Sequence, residues 1–169
     1  MNIYELTVKY ERAGEKGLNT KVTEQYIVRS HQCASAELGL LKALAPVVTG
    51  QCEVLSVKRS AVTEVITDEY GLETKIAGDV ARIFGNKNAN TEADRYYKAK
   101  VAYNIIDEVT GKIKKLPRYF FVFAGSVVAT HSVLKNYLQK SVMDYEVLSV
   151  SETKFVEYLT IKNEQLEMA

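Results

Sequence analysis

Residues 3–10 alternate, with apolar Tyr4, Leu6, Val8 and Tyr10 set against polar Glu5, Thr7 and Lys9. A period of two predicts a half-buried strand. Arg12–Thr20, with Gly14 and Gly17, reads as a turn, and Lys21–Arg29 as a second strand, so the pair forms a hairpin with a long loop. Ala34, Leu38, Leu41 and Leu44 then recur at helical spacing. Gln32 or Ser35 would begin this helix, and Ala45-Pro46 would end it, because proline disfavours a helical residue before it. Cys52–Thr67 is a β-prone run, bent or broken near Ser60. The unit reads β-β-α-β.

The same order returns. Tyr96–Ile106 predicts a strand, Asp107–Lys112 a turn on Thr-Gly, and Lys114–Phe123 a strand that carries Pro117 early. Ser126–Gln139 predicts a helix with Val127, Val128, Leu134, Tyr137 and Leu138 as its apolar positions, and Tyr145–Leu159 one long terminal strand. The two copies share a pentapeptide, Glu-Val-Leu-Ser-Val, at Glu53–Val57 and Glu146–Val150, 93 residues apart. Tyr4, Val8 and Tyr10 match Tyr97, Val101 and Tyr103 at that offset, and Tyr26–Leu44 matches Phe120–Leu138 one residue out of it. A chain of 169 residues is therefore one supersecondary unit used twice. The repeats span 1–67 and 95–159. Residues 68–94 form a connector, a short amphipathic helix and then a polar loop, and 160–169 a frayed or helical tail.

One such unit leaves sheet edges unpaired, and two together bury what each alone cannot. The expectation is an α+β fold: tandem β-β-α-β units in one pseudo-twofold domain, with an antiparallel sheet and helices on one face.

At 47% hydrophobic and 25% charged residues the chain has an ordinary globular composition. No apolar run approaches the ~18 residues needed to span a bilayer. The chain enters an alternating strand at once, so no signal peptide is expected. Two cysteines do not make a disulfide framework, which suggests a reducing, cytoplasmic setting. The net charge of +1 hides an asymmetry: residues 95–159 carry 10 basic and 6 acidic groups, whereas 67–94 carry 3 and 6. A local basic face matters more than the total.

Catalytic signatures are missing. Ala13–Gly17 lacks the spacing of a phosphate-binding loop. His31 and His131 occupy nearly matched places without a shared orienting carboxylate, which favours ordinary surface or structural histidines. His31, Cys33 and Cys52 lack a fourth zinc ligand, and the second copy has Val127 and Tyr145 where the first has Cys33 and Cys52. Those replacements suit buried apolar positions. The expectation is a non-enzymatic protein with no metal and no cofactor.

Basic and aromatic residues interleave on the strands. If Tyr97, Ala99, Val101 and Tyr103 face the helix, Tyr96, Lys98 and Lys100 face away from it, and Arg118 would join them. Lys9, Arg29 and Lys58 would share one face of the first repeat, and Lys112, Lys114 and Lys115 form a basic hairpin tip. A positive surface with aromatic platforms suits single-stranded nucleic acid. Lysine and tyrosine on sheet faces also serve solubility and discourage edge pairing, and Glu5, Glu11 and Glu24 dilute the first repeat.

The stretches Lys21-Val-Thr-Glu-Gln-Tyr-Ile-Val28, Ala34-Ser-Ala-Glu37, Glu53-Val-Leu-Ser-Val-Lys-Arg59 and Tyr145-Glu-Val-Leu-Ser-Val-Ser-Glu-Thr153 resemble an uncharacterised two-repeat family of Bacteroidales genomes and their crAss-like phages. The resemblance covers nearly the whole chain apart from 68–94. It implies a replication- or recombination-associated single-stranded DNA-binding protein of a phage or mobile element, similar to the small sheet-and-helix PC4 and Whirly proteins. This chain departs from the PC4 order of four strands and then a helix, so no family binding residue transfers by position. The expected partner is thus single-stranded DNA, bound without sequence preference, with a homo-oligomer possible and no membrane. The alternative is a protein–protein adaptor or assembly module working through free strand edges.

Overall fold

The computed structural model describes residues 1–14, 17–67, 95–141 and 143–161, together with the backbone of 72–77 and 80–84. Among them are ten strands and two twelve-residue helices. This overturns the α+β expectation, because the fold is mainly β. It also comprises two compact units, each with its own sheet and one helix, instead of a single antiparallel sheet.

The first unit is built on β1 (Asn2–Ala13), β2 (Asn19–Ser30), α1 (Cys33–Leu44) and β3 (Val48–Arg59). β1 is central, antiparallel to both β2 and β3. The alternating positions Tyr4, Leu6, Val8 and Tyr10 all enter a core with Tyr26 and Val28 from β2. Ala36, Leu40, Ala43 and Leu44 of α1 close it. Ser35, Ala36 and Gly39 are buried on the helix, and such small residues let its backbone lie near the sheet. α1 begins at Cys33, with Gln32 at the cap making no side-chain bond.

The second unit repeats this plan with β7 (Arg95–Ile106), β8 (Ile113–Ala124), α2 (Val127–Leu138) and β9 (Tyr145–Glu152). Its core holds Tyr97, Ala99, Val101, Phe120, Val122, Leu134 and Leu138. Ser126 caps α2, its Oγ accepting the Ala129 N–H at 3.0 Å. Val127, Val128 and Tyr137, expected as apolar contacts of this helix, are exposed. Tyr137 instead donates its hydroxyl hydrogen to Glu64.

The repeated pentapeptide marks a bulge. Thr7 pairs with Ser56 and Val8 with Val54, so Leu55 is an extra residue in β3. In the second unit Lys100 pairs with Ser149 and Val101 with Val147, and Leu148 is the extra one. A residue inserted in a strand reverses the alternation after it. Val54 and Val57, three apart, can therefore both pack on the first core, and Val147 and Val150 on the second.

The fourth strand of each four-strand block comes from the other repeat. β4 (Val62–Ile66) follows β3 in sequence yet pairs in parallel with β8, in the second unit. β10 (Phe155–Ile161) follows β9 and pairs in parallel with β2, in the first. The exits are pinned alike, with the Ser60 N–H donating to Ile3 O at 2.8 Å and the Thr153 N–H to Tyr96 O at 3.1 Å. The expected break near Ser60 is present. The run Tyr145–Leu159, expected as one strand, breaks at the matching place. Both sheets are thus mixed, and the units are not the sequence repeats.

The connector also departs from expectation. In place of a short helix, β5 (Leu72–Ala77) and β6 (Val80–Phe84) form a hairpin, and β6 pairs with β10. The sheet order becomes β3-β1-β2-β10-β6-β5. The edge of β10 carries backbone groups that need partners, and pairing satisfies them where a helix would not. The polar loop expected after residue 84 and the tail beyond Ile161 lie outside the described residues.

Candidate nucleic-acid interface

Each sheet has a face turned away from its helix, and the candidate residues distribute over these two faces according to strand register. In the second unit the β7–β8 pairing sets Lys98 opposite Phe121, Lys100 opposite Tyr119, Ala102 opposite Pro117 and Asn104 opposite Lys115. β9 adds Ser149 opposite Lys100 and Ser151 opposite Lys98. All of these point away from the core that holds Tyr97, Ala99, Val101 and Tyr103.

The geometry converges on Tyr119. Lys98 Nζ lies 5.4 Å and Lys100 Nζ 5.8 Å from the centre of its ring. All three side chains are half-buried. Each cation–ring contact contributes about 0.5–1 kcal/mol at an exposed site. Two ammonium groups and one aromatic ring are thereby held together on one sheet face.

Tyr96 shares this face but is only 3% exposed, its ring 4.9 Å from that of Phe123. It presents no free platform, and Tyr119 takes that place. The sequence reading passed over Tyr119. The signal was there, because a hairpin that closes with Asp107 facing Lys112 sets residue 119 opposite Lys100. Arg118 lies on the other face, opposite Val101, and does not join the lysines. Its charge acts on Tyr103, whose phenol burial pushes up and Arg118 pulls partly back.

The hairpin lysines divide between the faces. Lys115 is on the Tyr119 face and pairs with Glu146 at 3.2 Å, while Lys114 is on the helix side, 3.9 Å from Asp107. Both pairs are well exposed, so each contributes at most about 1 kcal/mol. Lys112 sits at the exposed start of β8.

In the first unit Lys9, Arg29 and Lys58 do share the face away from α1. Carboxylates interleave with them: Lys9 is opposite Glu53, and Lys58 opposite Glu5. Arg29 lies half-buried beside Ile3. Neither face is the open platform expected, since Ile3, Ile27 and Tyr158 are buried here and Tyr96, Ala102 and Phe121 are buried on the second unit's face. Counting by the repeat offset, the positions of Lys98, Lys100 and Tyr119 are Glu5, Thr7 and Gln25 here. The basic aromatic cluster belongs to one unit only.

Among the described residues no group of three or more His, Cys, Asp or Glu is placed to hold a metal ion. His31 and His131 are exposed. Cys33 is exposed as well, contrary to the buried position expected, whereas Cys52 packs against the core and burial pushes its thiol pKa up. No helix among the described residues is long and apolar enough to cross a membrane.

Fold and face together define a mainly β protein of two helix-backed sheets that exchange strands, with a lysine–tyrosine cluster on one sheet. The chain belongs to the DUF4494 family, a domain of unknown function, whose signature spans residues 2–161. No curated protein matches it.

Proposed function

We propose that this protein binds single-stranded DNA without sequence preference, on the face of the second unit's sheet that carries Lys98, Lys100 and Tyr119. The convergence of both ammonium groups on one aromatic ring is the observation that supports this reading most. Lys98 and Lys100 contact phosphates, Tyr119 stacks on a base, and Ser149 and Ser151 line the track beside them. A base stacked on an aromatic side chain contributes about 1–3 kcal/mol, against roughly 1–2 kcal/mol for the two lysine–ring contacts it displaces. The freed ammonium groups then meet phosphates, so the exchange favours DNA. Backbone and ring contacts carry no base code, which makes the binding indifferent to sequence. The setting is the bacterial cytoplasm, and the role replication or recombination of a phage or mobile element, as the resemblance of the chain suggests.

Fluorescence anisotropy of a labelled oligothymidine tests the reading. At about 50 mM salt and micromolar protein the signal rises, and the affinity falls steeply as salt is added. A flat titration at low salt overturns it. The Tyr119→Ala variant weakens binding by about 1–3 kcal/mol while leaving the salt dependence unchanged, because the ring contacts no phosphate.

A further inference from the structure

The β7–β8 hairpin ends in an exposed apolar tip. Val109 is 92% exposed at its apex, and Ile106 and Ile113, paired across the strands, are 67% and 66% exposed. Scattered surface hydrophobics need no explanation, but three on one projecting turn make a patch. The fold itself does not require them, since the corresponding positions of the first hairpin, by the repeat offset, are Ala13 and Asn19.

The tip is also built to hold its shape. Asp107 accepts the Val109 N–H on its carboxylate at 2.9 Å and the Gly111 N–H on its carbonyl at 2.8 Å. The Asp107 N–H donates to Lys112 O at 2.9 Å. Gly111, at φ +68°, takes the left-handed conformation that closes the turn. A preordered turn loses little conformational entropy when it binds.

Ile106 and Ile113 lie on the same sheet face as Lys98, Lys100, Tyr119 and Lys115. Along β7 the step from Lys100 to Ile106 spans about 20 Å at ~3.4 Å per residue. The lysine–tyrosine track therefore runs into an apolar end. Lys112, Lys114 and Lys115 flank it; of the acids beside them the Asp107 carboxylate is engaged by its own turn and by Lys114, and Glu146 pairs with Lys115.

We infer that the tip is a wedge that packs Ile106, Val109 and Ile113 against the terminal base pair of a duplex, so that the protein prefers a single-strand–duplex junction to a plain single strand. Apolar side chains are used in this way against base steps, with lysines on the adjoining phosphates. This rests on the single-strand reading above, and the test separates the two.

Anisotropy is measured on an oligothymidine and on a hairpin duplex carrying the same oligothymidine as an overhang, with 2-aminopurine in the terminal pair. The native protein binds the overhang probe on the order of tenfold more tightly than the plain strand, the gain that burying roughly 55 Å² of the tip's apolar surface against the base pair supplies, and 2-aminopurine fluorescence changes. The I106A/I113N variant, which installs the residues of the first hairpin, and the Val109→Ser variant lose that preference and keep the oligothymidine affinity. Equal affinity of the native protein for the two probes overturns the wedge, as does a preference that survives in both variants. So does binding to phosphatidylcholine–phosphatidylserine vesicles that the variants abolish while the junction preference stands. Failure to bind oligothymidine at all removes the parent reading instead.

Discussion

Replacing Lys98 and Lys100 together by alanine removes both ammonium groups that converge on Tyr119. Each phosphate contact to a single strand releases counterions and adds about 0.7 to the magnitude of the slope of log K against log salt. Two contacts then account for about 1.4 of the slope, and at ~0.1 M salt for about 0.7 log unit each. The double variant binds roughly 25-fold more weakly at that salt, about 1.9 kcal/mol. Because both side chains are half-exposed, the fold tolerates the change to within ~1 kcal/mol, checked by a thermal melt. The assay is anisotropy of a labelled oligothymidine titrated at five or so salt concentrations, with Arg118→Ala as the control. Arg118 lies on the opposite sheet face, beside Tyr103, and its loss leaves the slope near the native value. An unchanged slope in the double variant, or an equal drop in the arginine variant, refutes the assignment of the binding face.

Leu159, fully buried in the first core, belongs to β10, and Leu159→Ala costs about 2–5 kcal/mol. Hydrogen exchange then accelerates first in β1 and β2, although Leu159 lies in the second sequence repeat; accelerated exchange confined to β7–β9 would contradict the strand exchange. Deleting Leu148 removes the bulge and turns either Val147 or Val150 out of the core, so the variant unfolds at lower urea, whereas Leu148→Ser, at an exposed site, stays within about 0.5 kcal/mol of the native protein. Burial, and then the neighbouring Glu24 that accepts its hydroxyl hydrogen at 2.6 Å, raise the pKa of Tyr26. The folded state holds that proton more tightly than the unfolded one, so the contribution is complete below the ordinary tyrosine pKa of about 10 and is lost as pH rises above it. Urea midpoints of the native protein fall between about pH 9 and 11, and Tyr26→Phe flattens that fall; parallel curves would count against the linkage.

Several features of the fold are legible in the residues alone because they are local. The period of two in residues 3–10, the Thr-Gly turn at 110–111 and the Leu134–Leu138 spacing each report on neighbours a few positions away, and the strands and helices stand where these patterns place them. The lysine–tyrosine cluster was half legible. The alternation along β7 puts Lys98 and Lys100 on one face, but Tyr119 enters only when the hairpin register is counted out, and Arg118 drops out by the same count. Tyr96 was misleading, since alternation fixes which face a residue takes and says nothing of what else lies against it. The amphipathic stretch of the connector fits a helix as well as a strand, and the free edge of β10 decided between them.

By itself the sequence determined a duplicated unit, its two long hairpins, its helices and the faces that residues take along β1 and β7, all consequences of backbone periodicity over short distances. It also carried the shared Val-Leu-Ser-Val spacing, whose meaning as a bulge appears only when β3 and β9 are paired with β1 and β7. Tertiary structure alone decided which sheet receives β4 and β10, because both strands have the same local propensity and either sheet offers an edge. Crossing to the other unit places Leu159 in the first core and Ile66 in the second. Their burial is a long-range gain that no window along the chain contains, and for the same reason only the folded sheet brings Lys98, Lys100 and Tyr119 together.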